Sequence, residues 1–190
     1  YILENYNKPC FDLWEEFCGW HFYTRMVQLK FVKSCIELNE KLNIQNLDDT
    51  INNMKDNLLH HIDKNNNNTI ISSFDENGNI SKYDDASIIM SFSHIDYDKE
   101  IMELIPLDYG VNTCNNLINF FRNKYDRDDL NMIGRYANDK YYDGQIWIIC
   151  TLGMLQYFLK LSNFNTKYKN LNLVVKIVFD FIISIDINLD

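Results

Sequence analysis

Three carboxylates stand close to one tryptophan near the start of the chain: Asp12, Glu15 and Glu16 flank Trp14. Neighbouring negative charge and an apolar ring both favour a protonated carboxyl group, so one of these acids can serve as a proton donor. Hydrolysis of a glycosidic bond needs such an acid at the leaving oxygen, and tryptophan faces stack on sugar rings. Composition alone fits a solvated acidic helix start better, because carboxylates favour the positive end of the helix dipole.

A second segment, residues 134–147, places Arg135 and Asp139 among three tyrosines and Trp147. An arginine can fix sugar hydroxyls while the rings provide stacking faces. The alternative is a cation–π corner that only closes a loop. Both segments precede predicted helices, and loops at helix N-termini often carry functional residues.

The hydrophobic pattern predicts a mostly helical chain. The predicted helices cover residues 21–42, 47–62, 112–124, 146–161 and 171–185. Asn- and Asp-rich turns around the short apolar run 69–71 predict loops and one small hairpin. Strands do not alternate with helices, which disfavours an α/β sheet.

The histidines and cysteines indicate no metal site. His60 and His61 are predicted on the solvent side of the second helix, and His21 at the start of the first. The five cysteines are widely spaced and form no Cys-x-x-Cys pair, which argues against zinc. Buried free thiols are the favoured interpretation, and one or two disulfides are the alternative for a secreted protein.

The formal net charge of −9 limits the partners of the chain. A negative field repels polyphosphate, so we expect no nucleic-acid partner. A neutral carbohydrate needs hydrogen bonds and aromatic faces rather than opposite charge, so the composition permits a sugar ligand. No stretch approaches the roughly 20 apolar residues of a membrane-spanning helix, and we expect no membrane partner.

Both segments resemble glucoamylases of glycoside hydrolase family fifteen, in the order and at about the separation found in that family. Residues 11–16 read FDLWEE, similar to the family's (Y/F)DLWEE segment, and residues 22–28 continue the similarity. Residues 134–147 read GRYANDKYYDGQIW, similar to the family's GRYPEDxYYNGNPW segment. A weaker likeness, to the family's DANTLL loop and SIH triplet, covers residues 85–94.

The resemblance extends from about Pro9 to Leu161 and implies an all-α fold. That fold is part of an (α/α)6 barrel, a six-hairpin toroid in which the loops at one end build the pocket. We therefore expect residues 1–190 to be the central portion of one glucoamylase-like catalytic domain, with the N- and C-terminal portions absent. We also expect Glu15 and Arg135 to converge at one end of the helices.

The resemblance also implies residue roles. Glu15 is expected to be the general acid. Substrate contacts are expected from Asp12, Trp14, Glu16, Arg135, Asp139 and Trp147. Family members invert the anomeric centre, so a second carboxylate activates water about 6.5–9.5 Å from the acid. That base lies nearer the family's C-terminus, outside this chain, and neither a metal nor an organic cofactor is implied.

The chain departs from the family pattern at several positions. Ala137 and Asn138 replace a Pro-Glu pair, and Asp143 replaces an asparagine. Gln145 and Ile146 replace an Asn-Pro pair. Trp20 stands where the family has small residues, and a bulky side chain there can narrow the choice of substrate.

The predicted activity is that of a glucan 1,4-α-glucosidase, which releases terminal α-1,4-linked glucose from starch, glycogen or maltooligosaccharides. Regulatory subunits of phosphorylase kinase also resemble glucoamylase, so a glucan-binding or regulatory module without catalysis is the alternative. The intact acidic segment argues against that alternative, and a degenerate fragment without a stable fold is a third. We expect the full-length protein to be a monomer. The resemblance favours secretion or a vacuole and leaves an intracellular location open.

Overall fold

The computed structural model describes residues 1–42, 47–66, 69–96, 98–164 and 166–186, with the side chains of residues 39–42 and 184–186 excepted. These residues form mostly helices, together with two small antiparallel sheets. Within them, no helix has both the length and the hydropathy needed to cross a bilayer. All five cysteines are free thiols, and Cys114 and Cys150 are buried.

The five predicted helices are confirmed, with ends that differ by up to five residues, and three shorter helices were not predicted. The helices are α1 (Ile2–Asn5), α2 (Phe22–Leu42), α3 (Asp48–Leu59), α4 (Ala86–His94), α5 (Lys99–Leu104), α6 (Leu107–Tyr125), α7 (Ile148–Phe164) and α8 (Leu171–Asp186). Single 3₁₀ turns lie at Tyr141–Gly144 and Thr166–Tyr168.

Helix α4 is the centre of the helical packing, since it contacts α2, α6 and α7. It begins where the carboxylate of Asp85 accepts a hydrogen bond from the N–H of Ser87 at 2.7 Å, a standard N-cap. All but two of its nine residues are buried. Because most of α4 is buried, its sequence lacks the clear polar–apolar period that reveals a surface helix.

The hydrophobic core lies between these helices. Its largest fully buried side chains include Phe22, Met26, Leu29, Phe92, Phe121 and Tyr157. Burial of each such side chain stabilises the fold by about 1.5–3 kcal/mol. Helix α3 packs on α2, and α8 packs on α7, so both lie at the outside of the described part.

A four-stranded antiparallel sheet was not predicted. Two of its strands precede α2 in the sequence, and the other two follow α3. Its strands, in spatial order, are β1 (Cys10–Phe11), β2 (Cys18–His21), β5 (Ser73–Asp75) and β6 (Ile80–Lys82). The predicted small hairpin is present as β3 (Ile62–Asp63) and β4 (Thr69–Ile70). Gly19 permits close pairing of β2 with β5, because a Cβ there would lie 2.1 Å from the carbonyl oxygen of Phe74.

Two histidine predictions are wrong. His61 is fully buried rather than on the solvent side, and its Nδ1 donates to the carbonyl of Ile71 at 2.6 Å. His21 ends β2 instead of starting the helix. Its buried ring lies 2.9 Å from both the hydroxyl of Ser73 and the carbonyl of Cys10, so it links three strands of the sheet.

Candidate active site

The first acidic segment is the hairpin loop between β1 and β2, and buried Asp12 organises it. The N–H of Asp12 donates to the carbonyl of Phe17 at 3.2 Å, and its own carbonyl accepts from the N–H of Glu15 at 3.1 Å. Its carboxylate accepts from the N–H of Glu16 at 2.8 Å. The interpretation of this segment as a solvated helix start is therefore wrong, since the helix begins only at Phe22.

Glu15 has an unusual backbone conformation within that loop. Its φ is 57°, in the left-handed region, which costs a residue with a Cβ roughly 1–2 kcal/mol. Its side chain is exposed, and no hydrogen bond or ion pair in the described part of the chain engages its carboxyl group. Backbone strain of this kind is concentrated at functional sites, so it supports a functional role for Glu15.

Arg135 joins the two segments of the sequence. Its Nε and Nη2 donate to the two carboxylate oxygens of Asp139 at 2.8 and 2.7 Å, and Nη2 also donates to Oε1 of Glu16 at 2.6 Å. The hydroxyl of Tyr136 donates to the other oxygen of Glu16. Residues 119 positions apart in the sequence are therefore in direct contact.

Hydrogen bonding fixes the charges of this cluster. Burial by itself would lower the pKa of Arg135, but the hydrogen bonds to Asp139 and Glu16 outweigh it and raise the pKa. Burial likewise opposes ionisation of Asp139, but bonds from Arg135 and the N–H of Tyr141 lower its pKa. Burial, followed by the bond to Glu16, raises the pKa of Tyr136. The cluster therefore keeps a charged ion pair and a protonated tyrosine near neutral pH.

A second set of charged contacts joins the acidic loop to Lys82 and Asp85. The indole N–H of Trp14 donates to the carboxylate of Asp85 at 3.0 and 3.1 Å. The Nζ of Lys82 lies 3.1 Å from Asp85 and 3.5 Å from Asp12. It also lies 3.6 Å from the ring centroid of Tyr136, which makes a cation–π contact.

Aromatic rings surround the guanidinium of Arg135. Its central carbon lies 4.8 Å from the ring centroid of Tyr141, 5.1 Å from that of Trp147 and 5.5 Å from that of Trp14. The two tryptophans meet edge to face at 6.4 Å and remain half-buried. Partly open indole faces beside an arginine suit a ligand that has both apolar ring faces and hydroxyl groups, as a sugar does.

The segment of Arg135 is locked to the start of α4. The N–H of Ala86 donates to the carbonyl of Arg135 at 2.7 Å, and Asp85 and Tyr136 form an isolated antiparallel bridge. A Cβ at Gly134 would lie 2.4 Å from the carbonyl oxygen of Gln145, so only glycine fits there. These contacts therefore fix the position of Arg135 relative to the N-terminus of α4.

The family relationship follows from the sequence match. A family model described as "Glycosyl hydrolases family 15" matches residues 1–177. The chain belongs to this family. Among curated protein sequences, none matches the family 15 chain.

Among solved structures, the family 15 chain is similar to a glucoamylase from Saccharomycopsis fibuligera, with a TM-score of 0.66 and 20% sequence identity. The match covers 85% of this chain and 37% of that chain, so the chain spans little more than a third of the glucoamylase. The fold is all-α and forms part of an (α/α)6 barrel, which confirms the predicted fold class.

The structure brings the predicted site residues together. Those that form one connected cluster are Asp12, Trp14, Glu16, Arg135, Asp139 and Trp147. Glu15 lies in the same loop, between Trp14 and Glu16, with its side chain exposed. The roles of these residues toward a substrate stay predictions.

Sequence reasoning missed four members of the cluster: Lys82, Asp85, Tyr136 and Tyr141. Asp85 and Tyr136 lie inside the segments that resemble the family, so their positions were available as a signal. Lys82 precedes Asp85 by three residues and gave no signal of its own, because its contacts are with residues distant in sequence.

Among the described residues, no group of three or more His, Cys, Asp or Glu side chains is placed to hold a metal ion. A polar groove of about 560 Å³ lies between the β3–β4 hairpin and α6 and contains none of the predicted site residues. Its lining residues are Asn66, Thr69, Tyr83, Asp84, Asn112, Asn115 and Asn116.

Proposed function

We propose that residues 1–190 are the central portion of the catalytic domain of an inverting glucan 1,4-α-glucosidase. Glu15 is the general acid, and Arg135 binds the terminal glucose. The observation that carries this proposal is the 2.6 Å ion pair between Glu16 and Arg135. That pair fixes the loop of the acid against the hydroxyl-binding arginine, as cleavage of a terminal sugar requires.

The state of the other carboxylates supports Glu15 as the acid. Asp12, Glu16, Asp85 and Asp139 each contact a lysine or arginine in the described part of the chain. Glu15 has no such partner there. It is therefore the carboxyl group of the cluster that can approach a glycosidic oxygen and give up a proton.

Arg135 retains donors for a ligand. Its Nε and Nη2 are committed to Asp139 and Glu16, whereas Nη1 donates to no partner in the described structure. Nη1 is not fully enclosed, although the side chain as a whole is only 4% exposed. A guanidinium held rigid by two carboxylates can direct its remaining N–H groups at sugar hydroxyls with little loss of entropy.

The proposed reaction is a single displacement. Glu15 gives its proton to the glycosidic oxygen while the bond from that oxygen to the anomeric carbon breaks. Water attacks the anomeric carbon from the opposite face and gives its own proton to a second carboxylate. We place that base in the C-terminal portion of the complete domain, because the other carboxylates of the cluster are already paired. An α-linked glucan then yields β-glucose.

The substrates proposed are the non-reducing ends of starch, glycogen and maltooligosaccharides. Such neutral ligands suit an open site with two half-buried indoles and one arginine, and they require no positive field. We propose that the full-length protein acts on them as a monomer, without metal or organic cofactor.

The test is glucose release by the full-length protein that contains this chain. Glu15→Gln keeps the size of the side chain and part of its hydrogen bonding but removes the acid. General acid catalysis is worth about 10²–10⁴-fold, so the kcat on maltose should fall by that factor with little change in KM. ¹H NMR of the first product formed should show the β-anomer.

Glu103→Gln is the matched control, because Glu103 is an exposed glutamate of α5 outside the cluster. That variant should keep the kcat of the unmodified protein. Equal kcat for Glu15→Gln and the unmodified protein would show that the acid is another residue. A full-length protein that binds maltooligosaccharides without releasing glucose would instead be a glucan-binding regulatory module.

A further inference from the structure

Lys82 lies at a position from which it contacts both carboxylates that anchor the loop of Glu15. It is the last residue of β6, and its side chain is only 12% exposed. Its Nζ lies 3.1 Å from Oδ2 of Asp85 and 3.5 Å from Oδ2 of Asp12. These two carboxylates are 2% and 5% exposed, respectively.

Two buried carboxylates so close together need a positive charge, because an unpaired ion is strongly destabilised away from water. In the described part of the chain, Lys82 is the cation that pairs with Asp12 and with Asp85. Arg135 pairs instead with Glu16 and Asp139. The ammonium of Lys82 therefore has no substitute at this place.

Each of these carboxylates holds a residue next to Glu15. The other oxygen of Asp12 accepts from the N–H of Glu16, the residue that follows Glu15. The carboxylate of Asp85 accepts from the indole N–H of Trp14, the residue that precedes it. Lys82 thus connects the anchors on both sides of Glu15.

Lys82 makes a third contact, with the ring of Tyr136, that also leads to the acidic loop. The Nζ of Lys82 lies 3.6 Å from the ring centroid of Tyr136, and the hydroxyl of Tyr136 donates to the carboxylate of Glu16. Lys82 therefore also packs against the ring whose hydroxyl binds the side chain of Glu16. All three contacts converge on residues 14–16.

We propose that Lys82 is a positioning residue for Glu15. Its ammonium pairs with Asp12 and Asp85 and holds both side chains in place, and these carboxylates keep the backbone of the acid and the neighbouring indole in the geometry for proton transfer. The catalytic consequence rests on the proposed function, whereas the structural role of Lys82 does not.

The experiment uses the full-length protein and three variants. Lys82→Met keeps the length of the side chain and removes the charge, Lys82→Arg keeps the charge, and Lys99→Met removes an exposed lysine of α5 as a control. In Lys82→Met the kcat on maltose should fall about 100-fold, the loss expected for a displacement of about 1 Å from reactive geometry, with a smaller change in KM. Lys82→Arg should recover activity to within about 10-fold of the unmodified protein, and Lys99→Met should match it.

A second measurement reads the loop directly and needs no catalysis. The protein is labelled with 5-fluorotryptophan, and the ¹⁹F NMR signal of Trp14 is assigned from its loss in Trp14→Phe. The signal should shift in Lys82→Met, return toward its original position in Lys82→Arg and stay unchanged in Lys99→Met. If Lys82→Met does not fold, Lys82→Gln takes its place in both measurements.

Unchanged kcat in Lys82→Met would overturn the proposal. A reduced kcat with an unmoved Trp14 signal would also overturn it, because the loss would then not pass through the loop. If the unmodified protein releases no glucose, the proposed function fails. The fluorine signal then decides alone whether Lys82 positions the loop: a shift upholds that role, and an unmoved signal overturns it.

Discussion

Glu15 combines an exposed carboxyl group with a backbone that glycine would adopt more easily. The left-handed φ of 57° is imposed by the loop, where Asp12 fixes the N–H groups of Glu15 and Glu16. A glutamate at such a position makes the fold less stable than a glycine would. Such a loss is common where function determines the residue type.

The strain at Glu15 can be measured by comparing two variants that both lack the carboxyl group. Glu15→Gly should unfold at a higher temperature than Glu15→Ala, because alanine keeps the Cβ that is disfavoured in the left-handed region. The expected difference is about 1 kcal/mol. Thermal unfolding of the full-length variants, followed by circular dichroism, measures it.

The same pair of substitutions at Glu103 is the control. Glu103 is exposed within helix α5, where alanine is favoured over glycine by about 1 kcal/mol. The order of stability should therefore reverse between positions 15 and 103. Greater stability of alanine at both positions would mean that the loop relaxes around residue 15 and stores no strain.

The connection from α3 to the strands depends on a buried histidine. Nδ1 of His61 donates to the carbonyl of Ile71, and its ring packs edge to face on Phe22 at 5.8 Å and Phe74 at 5.0 Å. Burial lowers the pKa of His61 to about 3. The folded chain therefore contains a neutral imidazole where α3, β4 and β5 meet.

Acid should loosen this connection. The pKa of His61 is lower in the folded than in the unfolded chain, so the unfolded chain binds a proton that the folded chain does not between about pH 6.5 and 3. The stabilisation is complete above pH 6.5 and is lost as pH falls. Between pH 7 and 5, His61 should reduce the free energy of unfolding by about 2 kcal/mol.

Denaturant titrations at pH 7 and pH 5 measure this change for the full-length protein and for His61→Asn. The variant should be less stable at pH 7 but lose less stability on acidification, because asparagine does not titrate. An unaltered pH dependence in His61→Asn would contradict the buried neutral imidazole.

Two helices of the described part, α7 and α8, expose large apolar side chains. On α7 and α8 these include Ile148, Ile149, Leu152, Leu173, Ile177, Phe179 and Phe181, each at least 40% exposed. Exposed apolar surface promotes association. The match to 37% of the glucoamylase chain accords with further helices that would cover these faces in a complete domain, as proposed above.

Residues 1–190 expressed alone should therefore be poorly stable or self-associate. The expected results are a broad thermal transition, binding of an apolar dye and a mass above that of the monomer in light scattering after size-exclusion chromatography. The full-length protein, measured alongside, should melt cooperatively as a monomer. A sharp melt of a monomeric fragment would show that the exposed faces do not require further helices.

The amino-acid sequence by itself determined the helical class and the two segments that build the site. Long amphipathic helices such as α3 and α6 leave a period near 3.6 residues that survives without any tertiary contact. The acidic segment and the segment of Arg135 were recognisable because each is a short run of characteristic residue types at fixed spacing. Neither pattern depends on contacts with other parts of the fold.

Tertiary structure alone decided which residues support those segments. Helix α4 is buried along most of its surface, so it shows no clear period, and the paired strands at residues 10–21 and 73–82 are too short to show one. The sequence places His61 on the solvent side of a helix and gives no signal for Lys82. Their burial and their partners come from contacts between elements distant in sequence, and such contacts leave no pattern along the chain.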